Sequence, residues 1–367
     1  MIDEKRLVDY FLELVQIDSP STQEAKIASK LEADLKSLGL EIALHDEMHN
    51  VVAWLPGKGD GAGEDFVLLS AHTDTVGKDT GIKPVIKDGV IYSDGTTILG
   101  GDDKSGVAAI MEVLRTIAEH PEMEHAPLEV VFSVQEEIGL LGAKHLRDTW
   151  NFKSKSGVVL DAGGPIGTII VGAPTQQNIS AVVHGRASHA GAEPEKGINA
   201  IQVAATAILS MPLGRIDPET TANIGVIRGG TATNIVPDRV ELLGEARSHD
   251  EEKLNRQIER MQQALEDAVA RFPGASVEIK IEPKYKGFRL TEETPVVRAL
   301  AEAAKRAGFE PIYAIEGGGS DANIYNEAGM SVAVISTGMA DVHTPKEHIA
   351  IADMVGATKM LWEFVRR

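Results

Sequence analysis

Cysteine is absent from the 367 residues. That excludes disulfides, a thiolate nucleophile and a sulfur-ligated structural zinc site. A Cys-free chain agrees with a cytoplasmic protein, the expected location, although any compartment tolerates one. No apolar run approaches the roughly 20 residues of a membrane-spanning helix. The opening stretch, MIDEKRLVDYFLELVQID, is acidic and reads as an amphipathic helix. It lacks the basic start and small-residue cleavage site of a signal peptide. Positive charge is also scarce: 36 Lys and Arg stand against 55 Asp and Glu, for a net charge of −19. Such a surface repels polyanions, so neither nucleic acid nor an anionic membrane is an expected partner. There are no internal repeats and no low-complexity segment beyond the short GDGAGED loop at 59–65.

What is present is the pattern of an α/β protein. The length suggests two domains. Apolar positions at helical spacing mark helices over 3–16 and 22–38, with Ser21 or Thr22 as a cap for the second. Short strands are expected at 40–44, 50–54 and 66–71, and IKPVIKDGVIYSDG reads as a hairpin turning at Asp88-Gly89. A helix over 104–119 stops before Pro121, and the apolar, β-branched run at 128–134 suits a buried strand. Strands follow at 157–161 and 168–172. This alternation predicts a mostly parallel central sheet flanked by helices.

The pattern then changes. A strand at 179–186, a helix at 199–211, strands at 220–228 and 238–246, a helix at 250–270 and a strand at 275–282 give the order β-α-β-β-α-β. That is the ferredoxin-like α+β arrangement, in a unit of credible domain size at about 110 residues. The α/β pattern resumes with a helix at 295–307, a strand at 333–336 and a closing helix at 349–366. The expected organisation is one catalytic domain in two parts, 1–176 and 287–367, interrupted by an inserted domain over 177–286.

Seven residues at or just after strand ends concentrate the chemistry: His72, Asp74, Asp102, Glu136, Glu137, Asp161 and His343. In VLLSAHTDTV, His72 and Asp74 are two apart, which puts both side chains on one face of an extended chain. The imidazole could bind a metal and the carboxylate could orient it. In TTILGGDDKSGVAAIMEVL, Gly100 and Gly101 free the backbone before Asp102 and Asp103 at the mouth of a helix. Helix capping explains one aspartate there more easily than two. Lys104 is expected merely to balance charge. In VVFSVQEEIGLLGA, Glu136 and Glu137 point opposite ways, so one can ligate metal while the other serves as general base. An acidic helix start is the plainer alternative. Asp161 closes GVVLD at the sheet edge where open α/β folds place their sites. His343 follows the strand ending near Ser336. The histidines at 45, 49, 120, 125, 145, 184, 249 and 348 are assigned no role. Two histidines and three acids would give each of two metals one histidine, one private carboxylate and a shared aspartate. These nitrogen and oxygen ligands fit hard or borderline divalent ions, most simply zinc. Two ions about 3.5–4 Å apart activate water and polarise a carbonyl.

The ordered motifs SAHTDTV, SDGTTILGGDDKSG, EEIGLLGA, SHAGAEPEKGINAI, ATNIVPD, GGGSDANI and the late His343 span essentially the whole chain. Together they resemble the dinuclear-zinc metallopeptidase family of aminoacylases, glutamate carboxypeptidases and peptidase T, and most closely its peptidase T-like tripeptidases. The resemblance implies a zinc-exopeptidase-like fold. It implies His72 and Asp161 on one zinc and Glu137 and His343 on the other. Asp102 would bridge the two, with a cis peptide to Asp103. Glu136 would be the general base and Asp74 the orienter of His72. The inserted domain resembles the family's lid and dimerisation domain, which implies a homodimer. His189 in RASHAGAEPEKG would assist the oxyanion, often across the dimer. Asn234 and Arg247 would bind substrate, arginine being a natural clamp for a terminal carboxylate. Gly319 and Ser320, in the loop Gly317 to Asp321, would line the cleft. The expected activity is removal of residues from short peptides, tripeptides above all, by water activated between two zinc ions. Cobalt or manganese would also suit these ligands. A carboxypeptidase, dipeptidase or N-acyl amino acid deacylase on the same site is the alternative. A non-catalytic metal or peptide binder is disfavoured by the complete ligand set with Glu136.

Overall fold

The computed structural model describes residues 2–59 and 65–366. Residues 60–64 of the GDGAGED loop lie outside the described residues. The helix α1 (Glu4–Val15) starts at Asp3, whose side chain accepts from the Arg6 N–H, and buries Leu7, Phe11 and Leu14 on one face. Then come α2 (Ala25–Ser37), β1 (Glu41–His45), β2 (Val51–Leu55) and β3 (Val67–His72). The expected hairpin follows as β4 (Val85–Lys87) and β5 (Val90–Tyr92), with Asp88 and Gly89 both at positive φ in the turn. Helix α3 (Gly101–Glu119) and strand β6 (Leu128–Ser133) are almost wholly buried. Next are α4 (Leu141–Thr149), β7 (Ser156–Gly163) and β8 (Thr168–Ala173).

The chain then builds β9 (Thr175–His184), α5 (Ala200–Ser210), β10 (Gly214–Asp217), β11 (Thr220–Gly229), β12 (Arg239–Ser248), α6 (Glu251–Ala270) and β13 (Ser276–Tyr285). It closes with β14 (Phe288–Arg289), α7 (Pro295–Ala307), β15 (Ile312–Ile315), α8 (Asp321–Glu327), β16 (Ser331–Ala340), β17 (His348–Ala350) and α9 (Ile351–Val365).

Two compact units emerge: Met1–Gly172 with Arg289–Glu316 and Ser320–Arg367, and Ala173–Phe288 with Gly317–Gly319. In the first, the sheet order is β1-β2-β6-β3-β7-β16-β17-β5-β4, with β8 beside β16 and carrying β14 and β15. Its four central strands, β6-β3-β7-β16, run parallel, and the strands flanking them, β2, β17 and β8, pair antiparallel to β6 or β16. Strands this buried need both faces covered. Helix α3 packs on β3 and β7, and α1 and α9 pack on α3. The second unit is a five-stranded antiparallel sheet, β10-β11-β12-β9-β13, with α5 and α6 over a core that includes Val183, Val203, Leu242, Leu254 and Met261. This is the ferredoxin-like unit with one extra edge strand.

Two local expectations are corrected. Ser21 and Thr22 do not cap α2, which begins at Ala25 with Glu24 in the cap position. The closing helix begins at Ile351, because residues 348–350 form β17 instead. Ile349 is fully buried there, paired with Ile91 of β5 and Met339 of β16. Among the described residues no helix is long and apolar enough to cross a membrane.

Candidate metal centre

Because β6, β3, β7 and β16 are parallel, their C-terminal ends share one edge, the edge where open α/β sheets gather their sites. His72 is the last residue of β3, Asp161 lies near the end of β7, Glu136 and Glu137 follow β6, and His343 follows β16. The start of α3 brings Asp102 to the same place.

The His72 ring is nearly sealed from solvent. Its Nδ1 stands 3.0 Å from the backbone oxygen of Asp74 and 3.4 Å from that residue's carboxylate. Nδ1 therefore carries a proton, and Nε2 is the ring atom turned toward the acids. Nε2 faces Asp102 Oδ1 at 3.0 Å and Asp161 Oδ1 at 4.0 Å. On the other side, His343 Nε2 lies 3.1 Å from Asp102 Oδ2 and 3.1 Å from Glu137 Oε1. One aspartate thus stands between two histidines. Gly100, at φ +72°, makes the turn into α3, and the Asp102–Asp103 peptide is cis. Asp103 faces away from this cluster: its carboxylate accepts from the His72 and Gly106 N–H groups at 3.3 and 3.1 Å.

Glu136 and Glu137 sit in a corner entered through Gln135 at φ +54°. Three successive N–H groups there end on buried carboxylates. Gln135 donates to Glu24 at 3.1 Å, Glu136 to Asp74 Oδ1 at 2.9 Å and Glu137 to Asp74 Oδ2 at 3.3 Å. Asp74 therefore holds the Glu136–Glu137 backbone as well as the His72 ring. Ser21, which looked like a helix cap in the sequence, instead donates its hydroxyl to Asp74 at 2.6 Å.

Three groupings of potential ligand atoms lie within 4.8 Å of one another: His72 with Asp102 and Asp161; Asp102 with Glu137 and His343; and His72 with Glu136 and Glu137. Burial lifts the carboxyls of Asp161 and Glu136 well above their ordinary range, with neighbouring acids adding to it. Burial opposes charge on Asp102 too, but His343 and His72 hold its carboxyl well below the usual value. Hydrogen bonding to Asp102 and then to Glu137 pushes His343 up to about 10. The ring of His72 rises despite its burial, held by Asp102 and Asp74. So many acids cannot all ionise in a buried space without a compensating cation. Glu137 Oε1 is buried, with His343 Nε2 as its near neighbour at 3.1 Å. Imidazole and carboxylate atoms gathered this closely suit a shared cation. The donor set, imidazole and carboxylate without sulfur, fits zinc, cobalt or manganese.

The sequence model of peptidase family M20/M25/M40 matches residues 68–367. The chain belongs to that family. It is a hydrolase of the metallopeptidase type, and the mixed α/β fold expected from its pattern is the one its solved relatives share. The chain is 42% identical over 368 residues to the uncharacterized protein YqjE of Bacillus subtilis strain 168, with 98% of each chain covered. The solved aminopeptidase PepT of Bacillus cereus ATCC 10987 is 40% identical, with a TM-score of 0.87 over 99% of this chain and 98% of that one. A solved tripeptidase of Staphylococcus aureus subsp. aureus Mu50 is 39% identical, with a TM-score of 0.92 over 100% of this chain and 98% of the other.

The second unit of this family member carries His189, Asn234, Arg247 and Gly319. His189 is exposed, and its Nδ1 accepts from the N–H groups of Gly191 and Ala192 at 3.2 and 3.1 Å, so its proton sits on Nε2. Asn234 is beside it, its backbone oxygen accepting from Ala190 at 3.0 Å. The guanidinium of Arg247 is engaged by Glu245 through two bonds of 2.9 and 3.0 Å, with Nη1 turned to the Gly317 oxygen at 3.4 Å. Gly319 packs on Tyr285, whose ring would stand 2.3 Å from any added Cβ. In the first unit, Ser320 is buried at the start of α8, its N–H donating to Asn323 Oδ1 at 3.0 Å.

Sequence reasoning passed over several supporting groups. Ser21 and Glu24 brace the acidic corner from more than 50 and 100 residues away. Asp321, buried beside the site, receives the Ser133 hydroxyl, and burial raises its carboxyl to about 6. Lys104, expected merely to balance charge, has a backbone partner as well. It is fully buried, donates to the Ile17 oxygen at 2.8 Å, and burial lowers its amine to about 7. The acidic clusters were visible in the sequence, but nothing local marked these distant partners.

Proposed function

We propose that the chain is a metal-dependent exopeptidase acting on short peptides, most specifically a tripeptide aminopeptidase. The observation that carries this reading is the Asp102 carboxylate spanning His72 and His343 at 3.0 and 3.1 Å, with Asp161 and Glu137 completing the two triplets. Likeness to an aminopeptidase and a tripeptidase over nearly the whole chain supports the substrate class.

Two divalent ions, most simply zinc, would be held by His72 and Asp161 and by Glu137 and His343, with Asp102 shared. Bound there, they would supply an acidic water near neutral pH and an electron-poor scissile carbonyl. Glu136 is the general base. It takes a proton from the attacking water and returns it to the departing amine. Its hydrogen-bonded backbone keeps the carboxyl in place while the charge changes. Asp74 fixes the His72 tautomer and, through two N–H bonds, the position of Glu136 itself.

On the inserted domain, His189 offers its Nε2 proton to the developing oxyanion, and Asn234 beside it binds the peptide backbone. Arg247 clamps the terminal carboxylate, a guanidinium being suited to bidentate contact with it. Gly319 and Ser320 line the substrate cleft. The domain over 177–286 serves as lid and as the contact of a homodimer, and the enzyme works in the cytoplasm.

The test is hydrolysis of di-, tri- and tetrapeptides and N-acyl amino acids, each with zinc, cobalt and manganese. The expected result is fastest cleavage of tripeptides bearing a free amino terminus. Faster turnover of dipeptides, of peptides from the carboxyl end, or of N-acyl amino acids would replace this reading with the corresponding alternative.

A further inference from the structure

The loop that carries His343 also carries a buried carboxylate with a separate task. Glu347 is 1% exposed and lies between β16 and β17. Its Oε2 accepts from the Leu99 N–H at 2.8 Å and the Gly100 N–H at 2.9 Å, and its Oε1 accepts from the Asp102 N–H at 3.0 Å. All three donors belong to the glycine turn that presents Asp102. The first N–H groups of a helix have no intrahelical partner. Here one of them, the Asp102 N–H, is satisfied by a residue 245 positions away rather than by a local cap. A Cβ on Gly101 would stand 3.2 Å from Glu347 Oε1, so the glycine leaves that carboxylate its space.

The other end of the link is equally constrained. The Thr344 hydroxyl donates to the Asp341 oxygen at 2.7 Å, and the Lys346 N–H donates to that hydroxyl at 3.1 Å. The Glu347 N–H donates to the Thr344 oxygen at 3.0 Å. Between these braces His343 is held at φ +63°. Glu347 thus ties two segments, each of which offers one atom of the 3.1 Å pair formed by His343 Nε2 and Asp102 Oδ2.

We infer that Glu347 is a positioning residue of the metal centre: by holding three N–H groups of the Leu99–Asp102 turn it fixes Asp102 relative to His343, and so sets metal affinity. The inference rests on the proposed metal reading of the site. A glutamine at 347 has nearly the same shape but one acceptor oxygen. Its amide nitrogen must face at least one of the three N–H groups, donor against donor. An aspartate keeps both acceptors and loses one methylene of reach.

The experiment strips the purified protein of metal and titrates it with cobalt(II), read by calorimetry and by the visible cobalt spectrum. Glu347→Gln and Glu347→Asp are compared with the parent. A control is Glu129→Gln, in β6 away from the centre, where another buried carboxylate accepts from Trp54 and Trp150 Nε1 and from the Lys153 and Ser154 N–H groups. Outer partners of metal ligands typically matter by about 10–100-fold in affinity. The expected result is weakening of that size, with an altered spectrum, in Glu347→Gln and partial recovery in Glu347→Asp. Glu129→Gln should melt earlier yet bind cobalt as the parent does. Parental affinity and spectrum in Glu347→Gln, in a parent that does take up metal, overturn the inference alone. A parent that takes up no metal overturns the metal reading and the inference together.

Discussion

Gly106→Ala should damage activity more than it damages the fold. Gly106 lies in α3, four residues after Asp102, where the helix crosses β7 one residue before Asp161. An added Cβ would sit 2.6 Å from the Leu160 oxygen, 2.8 Å from the Leu160 Cβ and 2.5 Å from Asp103 Oδ1. Ordinary carbon contacts are 3.5–4.0 Å, so helix and strand must part by about 0.7 Å. Overpacking of this kind costs about 1–3 kcal/mol, and alanine returns about 1 kcal/mol through helix propensity. The net loss is about 0–2 kcal/mol, a fall in Tm of no more than about 8 °C. The same displacement separates Asp102 from Asp161, and a shift approaching 1 Å in a catalytic constellation costs about 100-fold. The assay is kcat/KM on a tripeptide with saturating metal, beside a thermal melt. Gly157→Ala is the control, since its Cβ would meet the Leu68 oxygen at 2.3 Å near the opposite end of β7. It should cost stability while the folded protein keeps its activity. Parental kcat/KM in Gly106→Ala would refute the claim that this contact sets the spacing of the two aspartates.

Glu136→Gln should bind metal as the parent does and lose about 100- to 10,000-fold in kcat, the usual worth of a positioned general base. Turnover at the parent rate would remove Glu136 from that role. Chelation should abolish hydrolysis and lower Tm, since each ion at 100 times its Kd adds about 2.7 kcal/mol to the folded state. Zinc, cobalt or manganese should restore both, and hydrolysis by a protein shown to hold no metal would exclude the mechanism. Arg247→Ala should raise KM for peptides with a free carboxylate by about 10-fold or more, the worth of a charge-assisted hydrogen bond, and leave amidated peptides nearly unaffected. Equal effects on both would dismiss the clamp.

The fold was largely legible because its period is local. Runs such as 128–134 are apolar on both faces, which suits a covered parallel strand, and the switch to β-α-β-β-α-β marked the second sheet. Where the local pattern misled, a distant partner decided. Residues 349 and 350 read as the start of a helix until β5 and β16 claim Ile349 from both sides. Ser21 reads as a cap, yet the Asp74 carboxylate offers its hydroxyl a buried partner.

By itself the sequence determined the kind of chemistry available: histidine and carboxylate at strand ends, no sulfur, and an acidic surface that repels polyanions. Residue type and strand-end position are properties of the chain alone. Tertiary structure alone decided which atoms face one another. Four parallel strands bring His72, Glu137, Asp161 and His343 to one edge, and the turn into α3 sets Asp102 between the two rings. It also decided what holds them. Asp74, Glu24 and Glu347 take up N–H groups that neither helix nor sheet can satisfy, across separations of up to 248 residues. No periodicity encodes such a contact, because buried N–H groups need acceptors wherever the fold happens to bring them.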